Sequence, residues 1–381
     1  MYACTRPGDD ALLAPCEAPS YPRARMSPRV ERRELPVLVH GATGYTGKLV
    51  ARELVRRGVP FALSGRSARK LADLATVLGI PVPQIVIPEG ETAALTDTLR
   101  NVRAVINCAG PFGLLGEAVV KAAVAAGSHY LDVTGEQEFV RRCLEHDRAA
   151  TLAPACIVPS MAFEVSLSDM AARLVGERLG QVDELAVTYR MDRVASSGGT
   201  QRSALRMLGL AGGPAGRHSV TFPGDRSAVS GIEIPGADVV TIPRHTPVRD
   251  LHVYMSMGGT LTQLAIDQVL PRAAWLLNTA PGRWFLRRVE SRPTGEGPTD
   301  AERATHRWRM AVEGRGAKGK CTAFLAGPDP YGLTAVIAVK AAQLMLDPGF
   351  DKKGVLSPAM TFDAGTFLEA LKPDGLSLQF I

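Results

Sequence analysis

The stretch 36–47, PVLVHGATGYTG, decides how the rest of the chain is read. Val37, Leu38 and Val39 form a short apolar run suited to a strand buried on both faces. Glycines follow at 41, 44 and 47, three residues apart, ahead of an amphipathic run over 48–57. The order is strand, tight turn, helix. The first glycine permits the turn, the second lets a pyrophosphate approach the backbone, and the third lets the helix pack closely on the sheet. The helix start adds unpaired N–H groups and a positive dipole end. Gly41, Thr43, Gly44, Tyr45, Thr46 and Gly47 are therefore expected to line a dinucleotide site.

A second apolar run over 61–63 ends in Ser64, Gly65 and Arg66, where the second strand of such a fold delivers its ribose-reading residues. An acid at that place would select NAD. This chain offers a hydroxyl and a guanidinium, with Arg69 and Lys70 close behind. An arginine fork suits a 2′-phosphate, so the expected cofactor is NADP, read by Ser64 and Arg66.

At 381 residues the chain is long enough for two domains, and 46% apolar with 22% charged residues describes an ordinary globular protein. The net charge of +6 comes mostly from arginine without a dense basic block, which speaks against nucleic-acid binding. The six cysteines, Cys4, Cys16, Cys108, Cys143, Cys156 and Cys321, show neither a CxxC pair nor metal-type spacing, so no metal and a reducing, cytoplasmic compartment are expected. No run of about 18 apolar residues suggests a membrane span. Residues 1–33, with Pro7, Pro15, Pro19 and Pro22 near their start, read as a flexible tail, with Met26 a candidate start.

Strands at 84–87, 104–107, 129–133 and 155–158 alternate with helices at 71–78, 91–100 and 115–126, which implies a doubly wound parallel sheet over 34–160. Cys108, Ala109, Gly110, Pro111 and Phe112 fall at the carboxyl end of the fourth strand, the edge where such sheets bind ligands, and are expected beside the nicotinamide. A tight turn with one packed aromatic is the plainer alternative. Asp132 and Glu136 read as well as caps as they do as chemistry.

From residue 161 to 330 the pattern shifts to a mixed α/β domain on a largely antiparallel sheet, with a helix at 165–174 and strands at 185–191, 220–222, 239–242, 252–257, 305–314 and 320–325. The bulky stretch 261–286 reads as a helical hairpin over an apolar substrate, or as ordinary packing or a homodimer contact. Residues 331–381, beginning with an apolar helix at 331–346, are expected to return to the nucleotide domain.

Taken together, GATGYTG, LSGR, NCAGPFG and YLDVTGE resemble the saccharopine dehydrogenase-like oxidoreductases, in particular the branch of trans-acting enoyl reductases, over about 37–159. SGGT at 197–200, IPRH at 242–245 and GVLSPAM at 354–360 continue the likeness more weakly. The resemblance implies a Rossmann domain with an inserted α/β domain and NADP as cofactor. Where family members show G-x-D-x-x-P-S-D, this chain reads SMAFEVSLSD from Ser160, keeping Ser168 and Asp169 but placing Glu164 where the first aspartate stands.

Rival families lack their signatures here. No tyrosine is followed by lysine at the Tyr-x-x-x-Lys spacing, and Cys156 lies among apolar neighbours without an evident base. The expected activity is NADPH-dependent reduction of an apolar, carrier-bound or free enoyl thioester. Ser197, Thr200, the backbone at Gly198, and His245 are the candidates to stabilise the developing oxyanion. A saccharopine-type imine reductase using Arg244 or Arg249, and a non-catalytic NADP-binding protein, are the alternatives.

Overall fold

The computed structural model describes residues 35–192, 216–258, 279, 281–282 and 297–381. Strand β1 (Leu35–His40) sits in the middle of a seven-stranded sheet because both its faces are covered. Val37 and Val39 point into one core and Leu38 into another, all three fully buried. Each such side chain contributes roughly 1.5–3 kcal/mol relative to exposure, which is why a run of three apolar residues suffices for a central strand. Neighbours β2 (Phe61–Gly65) and β4 (Val102–Asn107) pair with β1 in parallel. With β3 (Gln84–Val86), β5 (His129–Asp132), β6 (Cys156–Val158) and β13 (Gly354–Val355) the order is β13-β6-β5-β4-β1-β2-β3, every pair parallel.

Helix α1 (Tyr45–Arg56) covers one face of this sheet together with α7 (Phe163–Leu179) and α10 (Pro330–Met345). On the other face lie α3 (Thr92–Leu99), α4 (Phe112–Ala126) and α5 (Gln137–Leu144). Helices α7 and α10 share their core with a second sheet, of order β14-β12-β11-β7-β10-β9-β8. Its strands are β7 (Val182–Met191), β8 (Arg217–Val220), β9 (Val229–Glu233), β10 (Val248–Met257), β11 (Arg307–Gly316), β12 (Gly319–Pro328) and β14 (Ser377–Phe380). All pairs in it are antiparallel except β7 with β10. The architecture is thus the expected α/β one, a Rossmann-type parallel sheet beside a largely antiparallel sheet. From the C-terminal stretch, α10 and β13 lie with the nucleotide sheet, while β14 is the edge strand of the second.

One expected strand is absent. The β-branched run at 239–242 favours extended chain by propensity, yet it forms a single helical turn, α8 (Asp238–Thr241), continuing into a 3-10 turn. Pro243 lacks an N–H for a ladder, and the Asp238 carboxylate is anchored by Ser168 and Tyr189, so tertiary contacts override propensity. Strand β9 and the short helix α9 (Asp300–Thr305), which closes a capping box with Thr299 and Glu302, escaped the pattern reading. Among the described residues no helix is long and apolar enough to cross a membrane, and no group of side chains could hold a metal.

Candidate functional site

The turn after β1 is built by close approach. Gly41 adopts φ +75°, and a Cβ there would lie 2.6 Å from the backbone nitrogen of Ala109. At Gly47 a Cβ would come within 2.8 Å of the Ala42 Cα and collide with the Gly41 carbonyl, so the helix sits directly on the turn. Gly44 is the N-cap of α1 and supplies no side-chain cap. The first-turn N–H groups over Tyr45, Thr46 and Gly47 therefore lack intrahelical partners and suit a phosphate. Backbone bonds from Ala42 N to Ser64 O (3.0 Å) and from Cys108 N to His40 O (2.8 Å) lock the turn against both neighbouring strands. The cradle fits the pyrophosphate of a dinucleotide, and it would be filled by any side chain at 41 or 47.

Two expected cofactor contacts change role. Ser64 is fully buried and its hydroxyl meets His40 Nδ1 at 3.2 Å, so it braces the turn and does not present its hydroxyl to a ribose. Burial lowers the His40 pKa to about 4, keeping the imidazole neutral at physiological pH. Tyr45 packs edge-on against Tyr331 at 5.0 Å and donates to the Pro298 carbonyl at 2.5 Å. Desolvation raises its pKa to about 12, so the phenol stays a donor and ties the glycine turn to the segment before α9. Thr43 Oγ1 faces Gly65, 3.8 Å from where a Cβ there would lie, beside Arg66. Arg66 is exposed and pairs with Glu89 at 2.5 Å. A 2′-phosphate must compete with that carboxylate, so Arg66→Ala is expected to weaken NADPH binding by about 1.5 kcal/mol, the low end for a charge-assisted contact. NADH binding should not change, and calorimetry with both cofactors is the check. An equal loss for both would remove the 2′-phosphate assignment.

The second loop, Cys108 to Phe112, is held by Asn107, whose Oδ1 accepts the Ala109 N–H (3.0 Å) and whose amide donates to the Tyr130 hydroxyl (3.1 Å). Cys108 is pushed up to about 12 by burial and by Asp132, so its thiol is protonated and unsuited to nucleophilic attack. The peptide between Gly110 and Pro111 is cis, and Pro111 is the N-cap of α4. Phe112 does not stand in the cleft. It is only 7% exposed and packs 5.8 Å from Phe139, because α4 starts at this residue and turns its ring into the core. The cap that α4 needs comes from a distance, since the Glu136 carboxylate accepts the N–H groups of Phe112 (3.1 Å) and Gly113 (2.9 Å).

The catalytic candidates fare differently. Ser197 and Thr200 lie outside the described residues, as does the stretch 261–286 apart from Thr279, Pro281 and Gly282. His245 is described, and its side chain is 1% exposed. Its Nε2 meets Asp169 Oδ1 at 3.0 Å and its Nδ1 meets Thr246 Oγ1 at 2.9 Å, while Asp169 Oδ2 accepts the Ala359 N–H. Both ring nitrogens are engaged, so this histidine joins α7 to the segments around it and is not free for substrate. Arg244 donates to the Val355 carbonyl at 2.6 Å. Cys156 is buried and its thiol is pushed up to about 12, as befits a core residue.

Beside the carboxyl edge of β5 and β6 the fold collects acids. Asp132 Oδ1 accepts N–H groups from Thr134 and Ser160, both at 2.9 Å, and burial still raises its pKa to about 6. Asp238 accepts from Ser168 and Tyr189 and is likewise raised to about 6 by burial. Glu164, in the first turn of α7, is half-buried and is raised to about 7 by desolvation, with Asp238 adding to the shift. A Cβ on Gly135 would lie 3.3 Å from Glu164 Oε1, which puts the carboxyl against the loop that follows β5. Sequence reading singled out Glu164 only as a departure from a motif. Its environment is made by chain segments more than 25 residues apart, which no local pattern records.

A parallel sheet with an uncapped glycine turn at its switch point, joined to a second sheet through shared helices, defines a two-sheet dinucleotide-binding oxidoreductase. Residues 37–156 match the family described as the saccharopine dehydrogenase NADP binding domain. The chain is an oxidoreductase that carries this NADP-binding domain. It is 27% identical over 412 aligned positions, covering 91% of this chain and 97% of the relative, to a Mycobacterium tuberculosis (strain ATCC 25618 / H37Rv) protein provisionally named a trans-acting enoyl reductase. It is 28% identical over 276 positions, 68% of this chain and 65% of the relative, to the trans-acting enoyl reductase of Mycobacterium leprae (strain TN). Among solved structures, apo saccharopine dehydrogenase (L-Glu forming) from Saccharomyces cerevisiae is similar in fold, with a TM-score of 0.59 at 13% identity over 91% of this chain and all of that one.

Proposed function

We propose that this oxidoreductase reduces the C=C bond of an apolar enoyl thioester with NADPH. The observation that carries the cofactor half is the uncapped start of α1, pressed against the second loop with Arg66 at the ribose end. Likeness to the mycobacterial enoyl reductases, one of them spanned over 97% of its length, supports the substrate half. NADPH supplies the hydride. The chain must then orient the acyl group, stabilise an enolate-like oxygen and deliver a proton, for which Ser197 and Thr200 remain the proposed oxygen-side donors.

The layout we infer assigns cofactor binding to 34–160 and substrate binding to 161–330, with 331–381 bridging back. A cytoplasmic setting, a carrier protein with acidic surface drawn to the +6 chain, and homodimer formation belong to the same reading. The imine alternative has less support, since Arg244, the less exposed candidate for a substrate carboxylate, spends a donor on Val355.

The test is NADPH oxidation with enoyl thioesters of increasing chain length beside saccharopine-type imines. Each methylene buried contributes ~0.8 kcal/mol, so kcat/KM is expected to rise roughly three- to fourfold per methylene until the pocket is full. Turnover of imines alone would overturn the enoyl reading.

A further inference from the structure

We propose that Glu164 is the proton donor of the reduction, a role that rests on the reductase reading above. In a doubly wound sheet a dinucleotide runs along the carboxyl edge, with its adenosine end over the second strand and its nicotinamide end over the strands on the other side of the switch point. Arg66, after β2, marks the first end. Gly135, after β5, and the start of α7, after β6, mark the second, and Glu164 lies between them.

What distinguishes Glu164 is that it is partly open while the acids around it are buried, even though Asp132 and Asp238 each keep one oxygen without a partner. Asp132 serves two N–H groups, Glu136 caps α4, Asp169 holds His245 and Ala359, and Asp238 holds Ser168 and Tyr189. Among the described residues, no hydrogen bond to the Glu164 carboxyl from another residue is seen, and only its own backbone N–H favours the charge. The groups that face it are Asp238 on α8, whose negative charge opposes ionisation, and Tyr189 on β7, whose hydroxyl bonds the Glu164 carbonyl oxygen at 3.3 Å. The helix start of α7 favours a carboxylate, yet burial outweighs it and leaves the acid poised near neutrality. Glu164 also keeps part of its surface open, as a donor to a bound substrate requires.

The step balances. Hydride from bound NADPH forms the new bond at the β-carbon, and the π pair passes to the α-carbon and the thioester oxygen. The Glu164 O–H bond breaks as the α-carbon C–H bond forms. The substrate is reduced by two electrons, the nicotinamide is oxidised, and the carboxylate regains its proton from water.

The experiment compares NADP⁺ with NADPH on the full-length protein by titration calorimetry in buffers of different ionisation enthalpy. A cationic ring beside Glu164 favours its carboxylate, so NADP⁺ binding at pH 7 should release a fraction of a proton more than NADPH binding. The 2′-phosphate titrates in both ligands and cancels in the difference. The excess should vanish about two pH units above the acid's pKa, where the group is already ionised. Glu164→Gln should abolish the excess while NADPH affinity stays within a few-fold, and Glu164→Asp should retain part of it. With enoyl thioesters, Glu164→Gln should lower kcat at least ~100-fold and remove the fall in rate above neutrality. Equal proton release for the two cofactors in the unaltered protein, an excess that survives in Glu164→Gln, or undiminished kcat in that variant would each overturn the proposal. An excess that Glu164→Gln abolishes, in a protein that reduces no enoyl thioester, would support the placement of Glu164 and sink only the substrate assignment.

Discussion

Gly41→Ala is expected to eliminate measurable NADPH binding at micromolar protein, a loss of at least ~100-fold or about 2.7 kcal/mol. Two costs add. A non-glycine residue at φ +75° is strained by roughly 1–2 kcal/mol, and the new methyl would stand 2.6 Å from the Ala109 nitrogen, which is backbone and cannot swing aside. Ala109 can retreat only by giving up its bond to Asn107, with Cys108 drawn off His40. That retreat displaces the two loops between which the cofactor would lie. Gly58→Ala is the control, because Gly58 also has positive φ (+65°) but nothing within 4 Å of a Cβ. It should cost stability through strain alone and leave NADPH affinity unchanged. Fluorescence titration of NADPH with both variants decides it, and a Gly41→Ala protein that binds normally would refute the close-approach argument.

His245→Ala is expected to destabilise the fold by about 1–3 kcal/mol, the usual result of leaving a buried acceptor without its hydrogen-bond partner. The Asp169 side chain is 0% exposed, and without the imidazole it keeps only the Ala359 N–H as a hydrogen-bond partner. Urea unfolding should show a lower midpoint with an unchanged slope. NADPH affinity of the folded protein should persist, because the pair joins α7 to residues 245 and 359 and none of these belongs to the glycine turn. A variant of normal stability that had lost turnover would restore His245 to the catalytic role its place in IPRH suggested.

The sequence alone was sufficient for the parallel sheet and the cofactor. Strand β1, the three glycines and the arginine after β2 act locally: an apolar triplet, a φ only glycine tolerates and a missing acid are properties of a few adjacent residues, and each survives into the structure. The second sheet was legible in outline through its alternating strands, although β9 and the helical turn at 238–241 were not, because propensity is weak against a buried carboxylate that chooses its partners. The roles of single side chains were decided only by tertiary structure. Ser64 and Phe112 stand where a ligand-binding loop would place them, but strand pairing and helix direction turn them inward. Glu136 caps a helix 24 residues before it, and His245 finds its acid 76 residues away. Glu164 acquires its perturbed titration from burial between Gly135 and Asp238, which the chain brings together only on folding. Desolvation and unpaired charge depend on what surrounds a group in space, and a linear sequence carries no record of that.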